Sequence, residues 1–356
     1  MARIRYVCAA VLCASLVAGC GKGASAPDRS VYLSGAGSTF DNPFFSKAFD
    51  QYSHAHQGVS VDYASIGSGA GIQQFTKRTV DFGATDIPMN PTELAAYPGG
   101  EGAVEQLPVT LGGVVVAYDV PTLSDAYVPH RSHVRLSPEA LAGIFMGTIK
   151  TWNDPAIAAL NPGVKLPSLA ITVVHRADAS GTTYMFTDYL SAASPAWRTK
   201  VGKGKTVDWY AQASLGAKGN EGVAGQIKNS PGSIGYVELA YALATQMDYA
   251  SIRNRDGKFV VPSMVSVQAA AAGRPAISPV AFSIVDMPGA ASYPIAGYSW
   301  LLIDRKNPDA AKRAAICELT RWMLSDGQKI APSIDYAALP ADVSRAALNR
   351  LGSCSS

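Results

Sequence analysis

The chain reads as an α/β fold, and three observations predict it. Short apolar runs of strand length alternate, one by one, with segments whose apolar residues recur at helical spacing. Several joints between the two are short turns of glycine and hydroxyl residues. Alternation of single strands and helices, rather than blocks of each, is what a layered α/β architecture requires. No fixed-period repeat competes with this pattern. With 356 residues, 48% apolar and 16% charged, the chain can form a substantial core, and its length suits about two domains of ordinary size.

The N-terminus sets the compartment. Arg3 and Arg5 precede an apolar run over residues 7–18, too short to span a bilayer, and small residues follow it. This is a secretory signal, and Leu16-Val17-Ala18-Gly19-Cys20 matches a lipobox, with Cys20 as the acylated residue. We therefore expect a signal peptide over residues 1–19 and a small, polar, flexible tether over residues 20–30. Acylation at Cys20 would tether the protein to a membrane surface. Cys8 and Cys13 leave with the signal, so Cys317 and Cys354 remain, and spacing alone leaves their pairing open. Loss of Arg3 and Arg5 brings basic and acidic side chains nearly into balance. The mature chain thus lacks the polybasic signature of nucleic-acid binding, and any anion must be held by local placement.

The elements follow in order. Tyr32 to Gly37 reads as a strand ending in Gly35-Ala36-Gly37-Ser38-Thr39-Phe40, ahead of a helix spaced by Phe44, Phe45, Phe49 and Tyr52. Ser38 or Thr39 at that place, taken alone, reads as a helix N-cap. Val59-Ser60-Val61-Asp62-Tyr63 is a second strand, leading through Ile66-Gly67-Ser68-Gly69-Ala70-Gly71 into a helix. This turn lacks the lysine ending of a Walker loop and the later acid of a dinucleotide fingerprint. Val80-Asp81-Phe82-Gly83-Ala84-Thr85-Asp86 is a short strand whose final acid is a cap or a site residue. Residues 109–118, with Gly112-Gly113 inside, read as a central strand, and residues 121–135 as a surface loop. Ser137-Pro138-Glu139 opens a helix with cap, proline and first-turn acid, and Thr151-Trp152-Asn153-Asp154-Pro155 opens another. Further strands are expected at 171–174, 233–237 and 293–303, with helices starting near Gly219, running through 269–272 and spanning 309–324.

One joint organises the chemistry. His175-Arg176-Ala177-Asp178-Ala179-Ser180-Gly181-Thr182 connects the strand at Ile171 to the helix that starts at Thr183. A strand-to-helix joint aims free N–H groups and the positive end of the helix dipole outward, which suits an anion. Arg176 adds a guanidinium fork, Asp178 can hold it, Ser180 and Thr182 add hydroxyls, and Gly181 permits close approach. Taken alone, the joint reads equally well as an ordinary loop carrying a surface ion pair. Bond-making chemistry finds no support. His54 and His56 lie two apart on a helix and share no face, no Cys/His cluster has zinc spacing, and the only base near Ser180 is His175.

Taken together, these turns resemble a known family. Gly35-Ala36-Gly37-Ser38-Thr39-Phe40, Ile66-Gly67-Ser68-Gly69, Val80-Asp81-Phe82-Gly83-Ala84-Thr85-Asp86 and Arg176-Ala177-Asp178-Ala179-Ser180-Gly181-Thr182 resemble the phosphate-binding lipoproteins of bacterial ABC phosphate importers. The likeness continues through Leu111-Gly112-Gly113-Val114-Val115, Gly232-Ser233-Ile234-Gly235-Tyr236 and Asp335-Tyr336-Ala337-Ala338-Leu339-Pro340. It implies a two-lobed periplasmic-binding-protein-like fold of type II, with two crossover hinge segments and a ligand cleft between lobes. Residues 28–119 and 292–352 would form the first lobe and residues 120–291 the second, hinged near Tyr118-Asp119 and just before Tyr293.

The resemblance implies binding of inorganic phosphate and its delivery to ABC permease subunits with their ATPase, with no catalysis, no cofactor and no metal. It places the protein, anchored through Cys20, at the outer face of a bacterial membrane, in the periplasm or on the cell surface. The phosphate-binding positions it carries over are Thr39, Phe40, Ser68, Asp86, Arg176, Ser180, Gly181 and Thr182, with Asp178 orienting the arginine. His175 stands where that family commonly has arginine, and Ala179 where it commonly has glycine. Alternatives with the same donors are a binder of sulfate or molybdate and a secreted phosphomonoesterase-like enzyme. A carboxylate at Asp86 favours phosphate: hydrogen phosphate has a proton to offer it, and sulfate has none.

Overall fold

The computed structural model describes residues 30–123 and 134–352. The signal, Cys20, nearly all of the tether, most of the expected 121–135 loop and Cys354 lie outside the described residues. The strands are β1 (Val31–Gly37), β2 (Val59–Ser65), β3 (Phe82–Thr85), β4 (Val104–Tyr118), β5 (Arg135–Leu136) and β6 (Thr172–Arg176). They continue as β7 (Ser214–Ala217), β8 (Ser233–Glu238), β9 (Asp248–Tyr249), β10 (Ser251–Arg253), β11 (Phe259–Val260) and β12 (Ala296–Asp304). The helices are α1 (Asn42–Ala55), α2 (Ser68–Thr76), α3 (Pro91–Ala96), α4 (Pro138–Phe145), α5 (Pro155–Ala158) and α6 (Gly181–Ala193). After them come α7 (Pro195–Lys200), α8 (Gly219–Lys228), α9 (Leu239–Ala244), α10 (Met264–Ala272), α11 (Ala310–Met323) and α12 (Ala341–Leu351). The α/β class holds.

Nine strands join in one mixed sheet, ordered β2-β1-β3-β12-β4-β8-β6-β7 with β9 also on β4, and β11-β10-β5 form a small second sheet. β1 runs parallel to β2 and β3, and β6 runs parallel to β7 and β8, while β12 and β4 are antiparallel to their neighbours. β4 links the two parallel groups. Its first part pairs with β12 as far as Gly113, and Val114 to Tyr118 pair with β8. All 15 of its residues are buried, which is why the sequence shows an apolar run without alternation. Gly112 is needed there, because a side chain on it would lie 2.6 Å from the Phe40 ring.

The β4–β12 ladder carries one bulge. Ser299 stands opposite Thr110, but its neighbour Trp300 stands opposite Pro108, so Val109 is the extra residue. Proline has no N–H to give the ladder, and a bulge is where a sheet tolerates it. The result sets the Ser299 and Thr110 hydroxyls side by side on one face.

Most expected elements appear, with shifted edges. α4 begins with Pro138 behind a Ser137 cap that accepts from Ala140 N–H at 3.2 Å. The helix expected after Asp154 is a single turn, α5, and the strand expected from Tyr293 begins at Ala296. Neither Ser38 nor Thr39 is the cap of α1; that position belongs to Asp41, whose side chain makes no cap bond. Cys317 is buried in α11 and disulfide-bonded.

Candidate functional site

The site forms where parallel strands end and helices begin. β1 leads to Ser38, Thr39 and Phe40 ahead of α1; β2 leads through Gly67 to Ser68, the first residue of α2. β3 ends just before Asp86. β6 ends at Arg176 and leads through Asp178 to α6, while β7 leads to Gly219 and Asn220 at the start of α8. Along the sheet the β1–β3 group and the β6–β8 group run in opposite directions, because β3, β12, β4 and β8 are each antiparallel to the next. The turns at their carboxyl ends nevertheless meet, through the Gly181–Ser68 and Asn220–Thr39 hydrogen bonds, and the carboxyl ends of strands are the usual place for a ligand in an open α/β sheet. Gly67 has φ +94°, a conformation open chiefly to glycine, and a side chain there would also strike Asp178 Oδ2 at 2.3 Å.

Asp86 lies among donors. It is 2% exposed. Its Oδ1 accepts from Ser299 Oγ at 2.8 Å and also from Ser38 Oγ. Its Oδ2 receives only a long bond, 3.4 Å, from Ser68 Oγ, and lies 2.5 Å from where a side chain on Gly181 would begin. Burial raises the Asp86 carboxyl above its ordinary range, while the Ser38, Ser299 and Ser68 hydroxyls and the Arg176 charge pull it partly back.

Arg176 is buried and clamped. Its Nε donates to Asp178 Oδ1 at 2.7 Å and one terminal nitrogen to Oδ2 at 2.5 Å, the two-pronged geometry that fixes a guanidinium. The other terminal nitrogen, Nη1, reaches Thr182 Oγ1 at 3.5 Å. Burial opposes ionisation of Asp178, but the Arg176 guanidinium outweighs it and, with Gly219 N–H at 3.1 Å, holds the carboxyl below the usual range. The arginine therefore presents a fixed edge, and its charge is matched by a carboxylate behind it.

Turns far apart along the chain touch. Gly181 N–H donates to Ser68 Oγ at 3.2 Å, and Gly69 N–H donates to Ala179 O at 2.9 Å. Asn220 Nδ2 donates to Thr39 Oγ1 at 2.8 Å and to Thr182 Oγ1 at 3.2 Å, and Asn220 N–H reaches Thr39 Oγ1 at 3.1 Å. Ala179 keeps an ordinary backbone conformation, since its φ is not among the positive ones. Its methyl group fills the space over Gly69, where an added carbon would lie 2.5 Å away.

Asp86, Ser68 and Gly181 thus form one hydrogen-bonded cluster, and Thr39, Thr182, Arg176 and Asp178, with Asn220, form a second, adjacent along the chain at Gly181-Thr182. Phe40 and Ser180 sit at the same turns with their groups already engaged. Phe40 N–H donates to Ser38 Oγ at 2.9 Å and its carbonyl accepts from Tyr336. Ser180 Oγ caps α6 by accepting from Thr183 N–H at 3.1 Å, and its own N–H goes to Lys205 O. His175 stacks on Trp209 with ring centroids 4.9 Å apart and turns Nδ1 to Arg176 O. Among the described residues no cluster of three or more His, Cys, Asp or Glu could hold a metal ion.

Four participants escaped the sequence reading: Ser38, Asp41, Asn220 and Ser299. Asn220 carried a signal, since Lys218-Gly219-Asn220 repeats the glycine turn at a helix start. Ser299 carried a weaker one, as a hydroxyl inside an apolar strand.

Comparison with known proteins gives the family. A model of the PBP superfamily domain matches residues 23–326. The phosphate-binding protein PstS of Xylella fastidiosa is 39% identical over 317 residues, covering 88% of this chain and 83% of that one. The PstS protein of Pasteurella multocida is 41% identical over 315 residues, with 87% of each covered. A crystal structure of a phosphate-binding protein from Stenotrophomonas maltophilia has the same fold, with TM-score 0.68 at 20% identity, covering 90% of this chain and 94% of that one. No helix among the described residues is long and apolar enough to cross a membrane. On sequence and fold alike, the chain belongs to the PstS-type phosphate-binding family of the PBP superfamily.

Proposed function

We propose that this protein is a high-affinity carrier of inorganic phosphate that serves an ABC importer. The observation that carries this reading is the unequal treatment of the two oxygens of Asp86. Oδ1 is supplied by two hydroxyls, and Oδ2, nearly undersupplied, looks toward Gly181 at the head of α6. A buried carboxylate beside an arginine and two helix N-termini repels an anion unless that anion brings a proton. Hydrogen phosphate does, and donates it to Asp86 Oδ2.

The remaining phosphate oxygens need donors. Arg176 Nη1, the hydroxyls of Thr39, Ser68 and Thr182, the Asn220 amide and the N–H groups at the heads of α6 and α8 supply them. Several of these now bond across the cleft to one another, and phosphate would take their place. In this reading residues 28–119 with 292–352 and residues 120–291 move as two lobes. Crossings within β4, where pairing passes from β12 to β8, and at the approach to β12 let the cleft open. The β4 crossing then lies at Gly113-Val114, somewhat ahead of Tyr118-Asp119. Cys20, acylated after signal removal, would keep the carrier on the outer face of the membrane beside its permease. Ser180 as a cap and His175 turned to a carbonyl leave no nucleophile–base pair at this joint.

The test is calorimetric titration of the mature protein with phosphate and with sulfate near neutral pH, beside an assay of chromogenic phosphate-ester turnover. Tight phosphate binding, weak sulfate binding and no turnover are expected. Equal affinity for both anions, or turnover, would overturn the reading.

A further inference from the structure

Asp41 is a wholly buried acid that the phosphate reading does not use. It occupies the N-cap position of α1, where an aspartate normally turns its carboxylate onto the helix N–H groups, yet it makes no such bond. The side chain points into the sheet instead. Oδ1 meets Thr110 Oγ1 at 2.5 Å and Oδ2 meets Ser299 Oγ at 2.5 Å. Ser299 Oγ also meets Asp86 Oδ1 at 2.8 Å. Asp41 and Asp86 are therefore separated by one hydroxyl oxygen, and the β4–β12 bulge sets Thr110 and Ser299 side by side beneath them.

Counting protons decides the state of this pair. A serine hydroxyl has one hydrogen and cannot donate to both carboxylates at once. If both acids were ionised, one of the two Ser299 contacts would set lone pair against lone pair inside the protein, with two buried negative charges close by. The groups that face the pair cannot compensate two charges. Among the described residues Arg176 is the one cation acting on Asp86, and Asp178 already holds it. The other ionisable neighbours are Tyr63, Tyr241 and Tyr336, neutral phenols, and beyond Tyr336 lies the buried acid Glu238.

We propose that Asp41 and Asp86 act as an acid pair holding one proton, kept on Asp41 and relayed through Ser299, so that a single negative charge faces the ligand at Asp86. The chain of donors then runs one way: Thr110 Oγ1 to Asp41 Oδ1, Asp41 Oδ2–H to Ser299 Oγ, Ser299 Oγ–H to Asp86 Oδ1. Every hydrogen has one acceptor. Asp86 is the better seat for the charge because it also receives Ser38 and Ser68 and lies nearer Arg176. Burial, and secondly the Asp86 charge, raise the Asp41 carboxyl well above its ordinary range, in the same sense. Asp41 is thus a positioning residue that fixes both the charge and the orientation of the carboxylate receiving the proton of hydrogen phosphate. This role rests on the phosphate reading; the proton count does not.

Two measurements separate the two. Infrared spectra of the protein at pH 7, with and without carboxyl-labelled aspartate, should show a protonated carboxylic-acid band that moves with the label. Burial raises the Glu238 carboxyl well above its ordinary range, and any band from it does not move with labelled aspartate. The aspartate band should vanish in Asp41→Asn, an isosteric change in which the amide still donates to Ser299. A label-sensitive band that persists in Asp41→Asn would place the proton elsewhere, and no such band in the parent would overturn the pair outright.

The second measurement is phosphate affinity against pH. Once the pair gives up its last proton, affinity of the parent should fall by about tenfold per pH unit, and Asp41→Asn should lack that alkaline limb. Identical limbs would remove Asp41 from the role. A parent that binds no phosphate at any pH would sink the carrier reading and leave the infrared result to judge the pair.

Discussion

Asp86→Asn is the most informative single change, because the structure says which oxygen becomes nitrogen. Oδ1 accepts from Ser299 and Ser38 and must remain an acceptor, so the amide NH2 takes the place of Oδ2, facing Gly181. Phosphate then loses the carboxylate that received its proton. A hydrogen bond to a charged group contributes about 1.5–3 kcal/mol. Part of this loss is offset, since removing a negative charge eases the approach of any anion, so phosphate should weaken by at most about a hundredfold. Sulfate moves the other way. In the parent its oxygens meet Asp86 Oδ2 lone pair to lone pair, an unsatisfied buried contact costing about 1–3 kcal/mol, and in the variant they meet a donor. Together these terms shift selectivity by about 3–6 kcal/mol, or two to four decades. Titration calorimetry of both anions against both proteins at one pH and ionic strength measures it. A phosphate/sulfate ratio that stays within a few-fold of the parent's would refute the assignment of Asp86 as proton acceptor.

Other changes test other parts of the cleft. Arg176→Ala leaves the half-buried Asp178 without its partner, at a cost of at most about 3–5 kcal/mol; phosphate binding should drop by more than about a hundredfold in titration, and an unchanged isotherm would remove Arg176 from the site. Gly181→Ala places a carbon 2.4 Å from the Cβ of buried Asp86, closer than packed atoms approach, so the thermal midpoint should fall and phosphate affinity should drop at least about tenfold. His175 has its basicity lowered from the ordinary 6.5 by burial, with the Arg176 carbonyl opposing. The unfolded chain therefore takes up the proton first, and stability present above that value is lost as pH falls toward the folded one. His175→Phe keeps the stack on Trp209 without titrating, so its urea midpoint should vary less between pH 7 and 5 than the parent's; parallel curves would contradict this.

The parts of the site that sequence reveals are those made by neighbours along the chain. A glycine-and-hydroxyl turn after a strand is local, and so is an arginine two residues from its carboxylate; Arg176 and Asp178 pair as their spacing suggests. The unseen parts depend on register. Ser299 reaches Asp41 across 258 residues of chain, and it does so only because the ladder slips at Pro108. No local pattern encodes that slip. Asp41 is hidden for another reason: at the head of an aromatic helix it looks like a cap, and only its inward turn shows otherwise. The single turn α5 shows the same limit, since a good start signal does not determine how far tertiary packing lets a helix run.

The charge balance of the proposed site explains why so many neutral donors are needed. Arg176 is matched by Asp178, and with Asp41 keeping its proton the one unmatched charge is the negative one on Asp86. One cation then stands against two anions in a site proposed to hold a third. Net Coulomb attraction cannot draw phosphate in. In the proposed site its binding would come from directed donors, namely N–H groups at the heads of α6 and α8, the Asn220 amide and the hydroxyls of Thr39, Ser68 and Thr182, which ask for oxygen lone pairs at fixed places. Such an arrangement gives up attraction for any anion in favour of selection among them. The Asp86 charge penalises every candidate ligand, and one that arrives with a proton escapes the penalty. On this proposal affinity and selectivity rest on different atoms: the first on the donors of the helix heads, the second on a carboxylate whose charge is defined by a proton on Asp41, one hydroxyl away.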